Sequence, residues 1–115
     1  MAKREPEPGR QRTVAAAVLD KLIEEATVDC YDESEQITGF YTMFEEHLRL
    51  PFATHVLGVQ VTVESIDLTE AEEIVATCTR GDDRQAISIL DLPLPVPPPQ
   101  GVEWIEAYRR WARRG

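Results

Sequence analysis

The chain is 115 residues long, 43% hydrophobic, and sets 12 lysines and arginines against 21 aspartates and glutamates, for a net charge of −9. That length suffices for one small domain that needs neither disulfides nor a metal to fold, and the acidic balance argues against a nucleic-acid partner, whose backbone demands a basic surface. The longest apolar run, Val14 to Leu19, falls far short of the ~20 residues that cross a bilayer, and no secretory apolar segment follows the basic start, so a soluble, cytoplasmic protein with no membrane partner and with Cys30 and Cys78 reduced is expected.

Charge is unevenly placed. Residues 1–12 hold four bases and two acids, and residues 102–115 hold four arginines and two glutamates, which leaves 17 acids and four bases between them. Residues 1–12 also contain Pro6, Pro8 and Gly9 with almost nothing apolar, so they read as a disordered tail ahead of a domain over 13–115. Thr13 is a candidate N-cap for a first helix whose apolar residues, Val14, Val18, Leu19, Leu22, Ile23 and Ala26, recur at helical spacing.

The period is lost at Val28. Asp32 with Glu35 three positions on has the form of a capping box opening a second helix, with Ile37, Phe40, Tyr41, Phe44 and Leu48 on its apolar face. Gly39 inside that helix costs about 1 kcal/mol relative to alanine, which points to close packing against another element. Leu50-Pro51 should end it. From Phe52 the pattern turns to period two: Val56, then Val59, Val61 and Val63 opposite Gln60, Thr62 and Glu64, followed by Ile66, predict a strand or a strand pair kinked at Gly58.

A second β run covers Ile74 to Thr79, a turn is expected at Arg80-Gly81-Asp82-Asp83, and a third run spans Gln85 to Leu90. Pro93, Pro95, Pro97, Pro98 and Pro99 then force an extended crossing, for which a linker is a better reading than a PxxP ligand. It leads to a last helix, Val102 to Arg113, with Trp104, Tyr108 and Trp111 aligned as a core-packing stripe and four arginines near the C-terminus that complement the macrodipole. The elements predict an α+β fold: two N-terminal helices, a small antiparallel β-sheet or partial SH3-like barrel, and a C-terminal helix.

The acidic stretch between the first two helices is the feature to explain. Asp29, Asp32, Glu33 and Glu35 put four carboxylates within seven residues at a helix start, where their mutual repulsion calls for a counter-charge. A hard cation supplies one, and calcium accepts six to eight oxygens from carboxylates, carbonyls and water without strict geometry. The EF-hand register is absent, since a loop started at Asp29 has Ser34 at its glycine position and Phe40 where a bidentate glutamate belongs, and one started at Asp32 has Ile37 and Met43 there. Without an ion, the same acids are a solvated helix N-terminus favoured by the helix dipole.

The run Val28-Asp29-Cys30-Tyr31-Asp32-Glu33-Ser34-Glu35-Gln36, followed by Gly39-Phe40-Tyr41, Phe44-Glu45-Glu46-His47-Leu48 and Leu50-Pro51-Phe52-Ala53, resembles the signature region of the small acidic calcium-binding proteins of the cyanobacterial CcbP family. The resemblance implies a cytoplasmic calcium buffer with no enzymatic activity, and carries over as metal ligands Asp29, Asp32, Glu33 and Glu35, with Glu45 and Glu46 as the matching acids on the helix. Ser34 stands where an acid is common in that family.

Other candidates carry less. Glu45 and Glu46 lie about 15 Å along the helix from the acidic turn, and read as solvent-facing before they read as a second site. Asp82 and Asp83 fit a turn, with a tertiary contribution to the acidic site left open. Cys30, Cys78, His47 and His55 match no zinc spacing, and no local signature marks a cysteine–histidine nucleophile. The leading expectation is therefore a non-enzymatic, non-EF-hand calcium buffer or sensor. The rival is a metal-free acidic module that docks a basic protein partner.

Overall fold

Alternating apolar residues and two tight turns make the middle of the chain a sheet, and helices with one apolar face must cover it. A computed structural model describes residues 14–114, and in it the order is α1 (Ala16–Ala26), α2 (Glu33–His47), β1 (Phe52–Val56), β2 (Val59–Leu68), β3 (Ile74–Arg80), β4 (Asp83–Ser88) and α3 (Val102–Ala112). This is the expected α+β fold. The predicted tail and the Thr13 cap lie outside the described residues. Ala15, which offers no side-chain cap, is the N-cap of α1, so the helix opens later than its apolar period suggested. Val18 is also displaced from the expected face, with 47% of its surface exposed, while Leu19, Leu22 and Ile23 pack against the core.

The four strands form an antiparallel meander in the order β1-β2-β3-β4. β1 and β4 are its two edges, so the sheet is open and the partial-barrel alternative is not seen. The ambiguous valine run resolves into a strand pair, with Val56 facing Val59 across a two-residue turn at Leu57-Gly58. A bulge between Val63 and Ser65 resets the alternation. Val63 and Ile66, three positions apart, can therefore both face the core, which strict period two forbids. β4 begins at Asp83, two residues earlier than its pattern implied, and stops at Ser88; beyond it Ile89 and Leu92 are buried.

The core joins the inner sheet face to α2 and α3. Phe40 and Phe44 of α2 meet Tyr108 edge-on at 5.2 and 5.9 Å, and Trp111 lies 5.4 Å from Phe40. The predicted stripe Trp104, Tyr108 and Trp111 is buried throughout. Arg109 does more than complement the dipole: its guanidinium donates to the Ile89 and Leu92 carbonyls at 2.6–3.0 Å, tying the extended crossing to α3. The crossing returns past the end of α2, where Arg49 N–H donates to the Gln100 carbonyl at 2.9 Å. Gly101 follows at φ 91° with no room for a Cβ against His47 backbone.

Gly39 marks the closest approach of α1 and α2, because a Cβ there would overlap the Ala26 carbonyl oxygen. Gly39→Ala should thus destabilise the fold by about 1–3 kcal/mol by overpacking, although alanine is the better helix former. Chemical denaturation checks the sign; a gain in stability would mean the helices can part freely. Trp111→Ala should cost about 3–5 kcal/mol in the same measurement, as a core truncation does. A loss below about 1 kcal/mol would contradict its packing role.

Candidate metal centre

The acidic turn begins where α1 runs out. Thr27 closes α1 by donating its hydroxyl to the Ile23 carbonyl at 2.7 Å, and Cys30 N–H donates to the Thr27 carbonyl at 3.0 Å. Between them Asp29 adopts φ 62°, a left-handed conformation that aspartate tolerates better than most side chains. Asp32 is the N-cap of α2, its Oδ1 accepting from Glu35 N–H at 2.8 Å. The predicted capping box is closed one residue out of register: Glu35 Oε1 accepts from Tyr31 N–H at 2.5 Å and not from the N-cap amide.

These bonds divide the four predicted ligands. Asp32 and Glu35 each commit one carboxylate oxygen to the backbone and keep the other for a ligand, while Asp29 and Glu33 make no hydrogen bond to any described residue. Direction divides them further. Successive helical residues turn by about 100°, so Glu33 and Glu35 point to nearly opposite sides of α2. The Cys30 thiol registers one side: partial burial, then the charges of Glu35, Asp29 and Asp32, push it up and keep it protonated. Such a thiol is a poor nucleophile. The Tyr108 hydroxyl registers the other side, held up by burial and then by Glu33 and Glu73.

The structure therefore brings Asp29, Asp32 and Glu35 around one turn and sends Glu33 elsewhere. Ser34, next to Glu33, meets a region that the local sequence did not reveal, the β2–β3 turn at 69–73. Ser34 Oγ donates to Glu72 Oε2 at 2.5 Å across 38 positions of chain. Three glutamates in Thr69-Glu70-Ala71-Glu72-Glu73 were the available signal, but only the sheet places them beside α2.

Asp82 and Asp83 sit at the opposite end of β3, about 20 Å of strand away from the β2–β3 turn. A tertiary contribution from them to the acidic turn is excluded on that ground. Glu45 and Glu46 occupy the far end of α2 and are exposed; Glu45 is the first charge, after burial, to raise the Tyr41 phenol, and Glu46 lies 3.8 Å from His47.

Exposed aspartates and glutamates with spare oxygens are the donor chemistry of a hard cation. Calcium fits that chemistry. Their placement is looser, since among the described residues no three histidine, cysteine, aspartate or glutamate side chains converge as a ready metal site. No helix among these residues is long and apolar enough to cross a membrane.

The family model Calci_bind_CcbP, described as calcium binding, matches residues 20–112, and the chain belongs to that family. Comparison with curated proteins and with solved structures gave no match.

Asp32→Ala should cost about 0.5–2 kcal/mol in metal-free denaturation through loss of the cap. Asp32→Asn, which keeps a capping oxygen, should cost much less. Equal losses would show that the charge and not the cap bond carries the effect.

Proposed function

We propose that the chain is a cytoplasmic, non-enzymatic calcium buffer or sensor whose ion is held by the acidic turn at the start of α2. What supports this reading is the acidic turn itself, with Asp32 and Glu35 each held by a backbone hydrogen bond and Asp29 a few residues before them, in a chain of a calcium-binding family. The ion supplies the positive charge that lets these carboxylates stay together. The protein's part is to hold the turn: the Asp32 cap and the Glu35–Tyr31 bond fix two carboxylates, and the left-handed Asp29 sets the third. Glu33, on the other side of the helix, is not a ligand of this turn in our reading.

A turn that must draw its carboxylates together binds more weakly than a prearranged cage, because ordering the side chains opposes binding. Modest affinity suits a buffer. The rival reading, a metal-free module for a basic protein partner, draws on Tyr31, 89% exposed, and Val28, also exposed, which flank the acids with apolar surface.

Titration calorimetry with calcium and with magnesium tests the proposal. Calcium should bind preferentially, since flexible carboxylates accept irregular coordination whereas magnesium requires a near-octahedral shell and retains its water. Asp32→Asn should weaken calcium binding and shrink the calcium-induced rise in melting temperature. Equal, weak responses to both ions, unchanged in this variant, would favour the interaction module.

A further inference from the structure

We propose that two copies of this chain associate through the end of the sheet that carries the β1–β2 and β3–β4 turns, each copy inserting Leu57 into an apolar groove of the other about a two-fold axis. That end lies opposite the β2–β3 turn, away from the acidic turn, and the association does not depend on calcium.

The groove is the core face of the sheet carried past its helical cover. Residues paired across strands share a face, as do alternate residues along one strand. Buried Thr54 and Cys78 therefore share theirs with Val56 and Val59 toward the β1–β2 turn and with Arg80 and Asp83 toward the β3–β4 turn. Val59 is 41% exposed there, and a cavity of about 330 Å³ opens between the two turns. Leu57 stands at its rim. The turn holds Leu57 at φ 52° and Gly58 at φ 81°, a left-handed pair that asparagine-glycine ordinarily supplies, and the leucine is 97% exposed. A bulky apolar residue in a strained conformation, beside an apolar groove that it does not fill, is an anchor for another molecule.

Charge decides what that molecule is. Of the four bases between residues 13 and 101, Arg80 and Arg84 both line this groove, and with Asp82 and Asp83 they bring the β3–β4 turn to no net charge in a chain of −9. None of these four side chains pairs with a described residue. A purely anionic partner would meet Asp83 along with Arg80, and a purely cationic one would meet the reverse. A partner carrying the same mixed charges and one protruding apolar side chain satisfies both, and the same end of a second copy supplies that set. None of the chain's acidic excess falls on this turn, so two copies meet here without net repulsion. A two-fold contact is self-complementary: Leu57 of each copy enters the groove of the other, and Arg80 of each meets Asp83 of the other. The small surface at two turns belongs to the weak, transient class of interface.

Sedimentation velocity of the full chain without added calcium, from about 1 μM to about 1 mM, tests this. The parent should pass reversibly from monomer to dimer within that range. Leu57→Asn suits the left-handed turn, so the fold should persist, and dimerisation should weaken about tenfold or more through loss of the anchor. Arg80→Asp and Asp83→Arg should each remain monomeric alone, because like charges then face each other across the axis. Mixed together, they should dimerise again, since each carries the charge that the other lacks. Circular dichroism of every variant checks that the fold is retained. A parent that stays monomeric to about 1 mM, a dimer unaffected by Leu57→Asn, or a folded mixture that fails to associate would overturn the proposal. Amide shifts at Leu57 and Val59 on addition of sodium dodecanoate to a chain that does not self-associate would assign the groove to an anionic amphiphile instead. Calcium binding stands or falls separately from each of these results.

Discussion

Aromatic packing between α2 and α3 decides where every carboxylate of the candidate centre lies. Phe40 and Phe44 on one helix and Tyr108 and Trp111 on the other form one buried cluster, and Trp111 Nε1 adds a 3.0 Å bond to Gln36 Oε1 in the first turns of α2. Helix rotation is thereby fixed. A helix locked by its buried face has little freedom in the directions of its exposed residues, so Glu33 and Glu35 are held on opposite sides of α2, with Glu35 turned back to the preceding turn. The absence of a Cβ at Gly39 lets α1 close against α2 and brings the end of α1, with Asp29, to the same place. Hydrophobic burial thus sets the geometry of a polar centre that contributes little to holding the fold together.

Electrostatics supplies the reason for a ligand. Between residues 13 and 101 acids outnumber bases more than fourfold, and the described ion pairs neutralise almost none of them, the Arg110–Asp20 bond at 2.8 Å being made near the C-terminus of α3. Exposed carboxylates repel one another modestly in water and more strongly where helix packing holds them close. The fold places such carboxylates at the N-terminus of α2, where the helix dipole favours negative charge even without an ion. A hard cation is then an addition to an arrangement already tolerated.

Much of this was legible along the chain. Asp32 announced its capping role, the glycine in α2 announced a close contact, and the spacing of Trp104, Tyr108 and Trp111 announced a buried face, because each of those features depends on residues within a few positions. The sheet edges and the bulge at Val63 to Ser65 were not legible, since a period-two pattern carries no record of which strands pair or where one slips. The division of the acids was half legible. Two residues of separation on a helix already place Glu33 and Glu35 on opposite sides, whereas the meeting of Ser34 with Glu72 depends on a sheet register formed across 38 residues. Asp82 and Asp83 illustrate the same dependence, because the meander alone puts their turn at the wrong end of β3.

The central claim is that the ion is held by side chains at the N-terminal end of α2. A crystal structure grown with calcium, with the ion located by its anomalous signal, tests this most directly. The account predicts calcium at that end of the helix, with oxygens of Asp29, Asp32 or Glu35 at ~2.3–2.6 Å. An ordered calcium bound only elsewhere, such as beside Glu45 and Glu46 or at the Asp82-Asp83 turn, or no ordered calcium in crystals of protein saturated with it, would contradict the account.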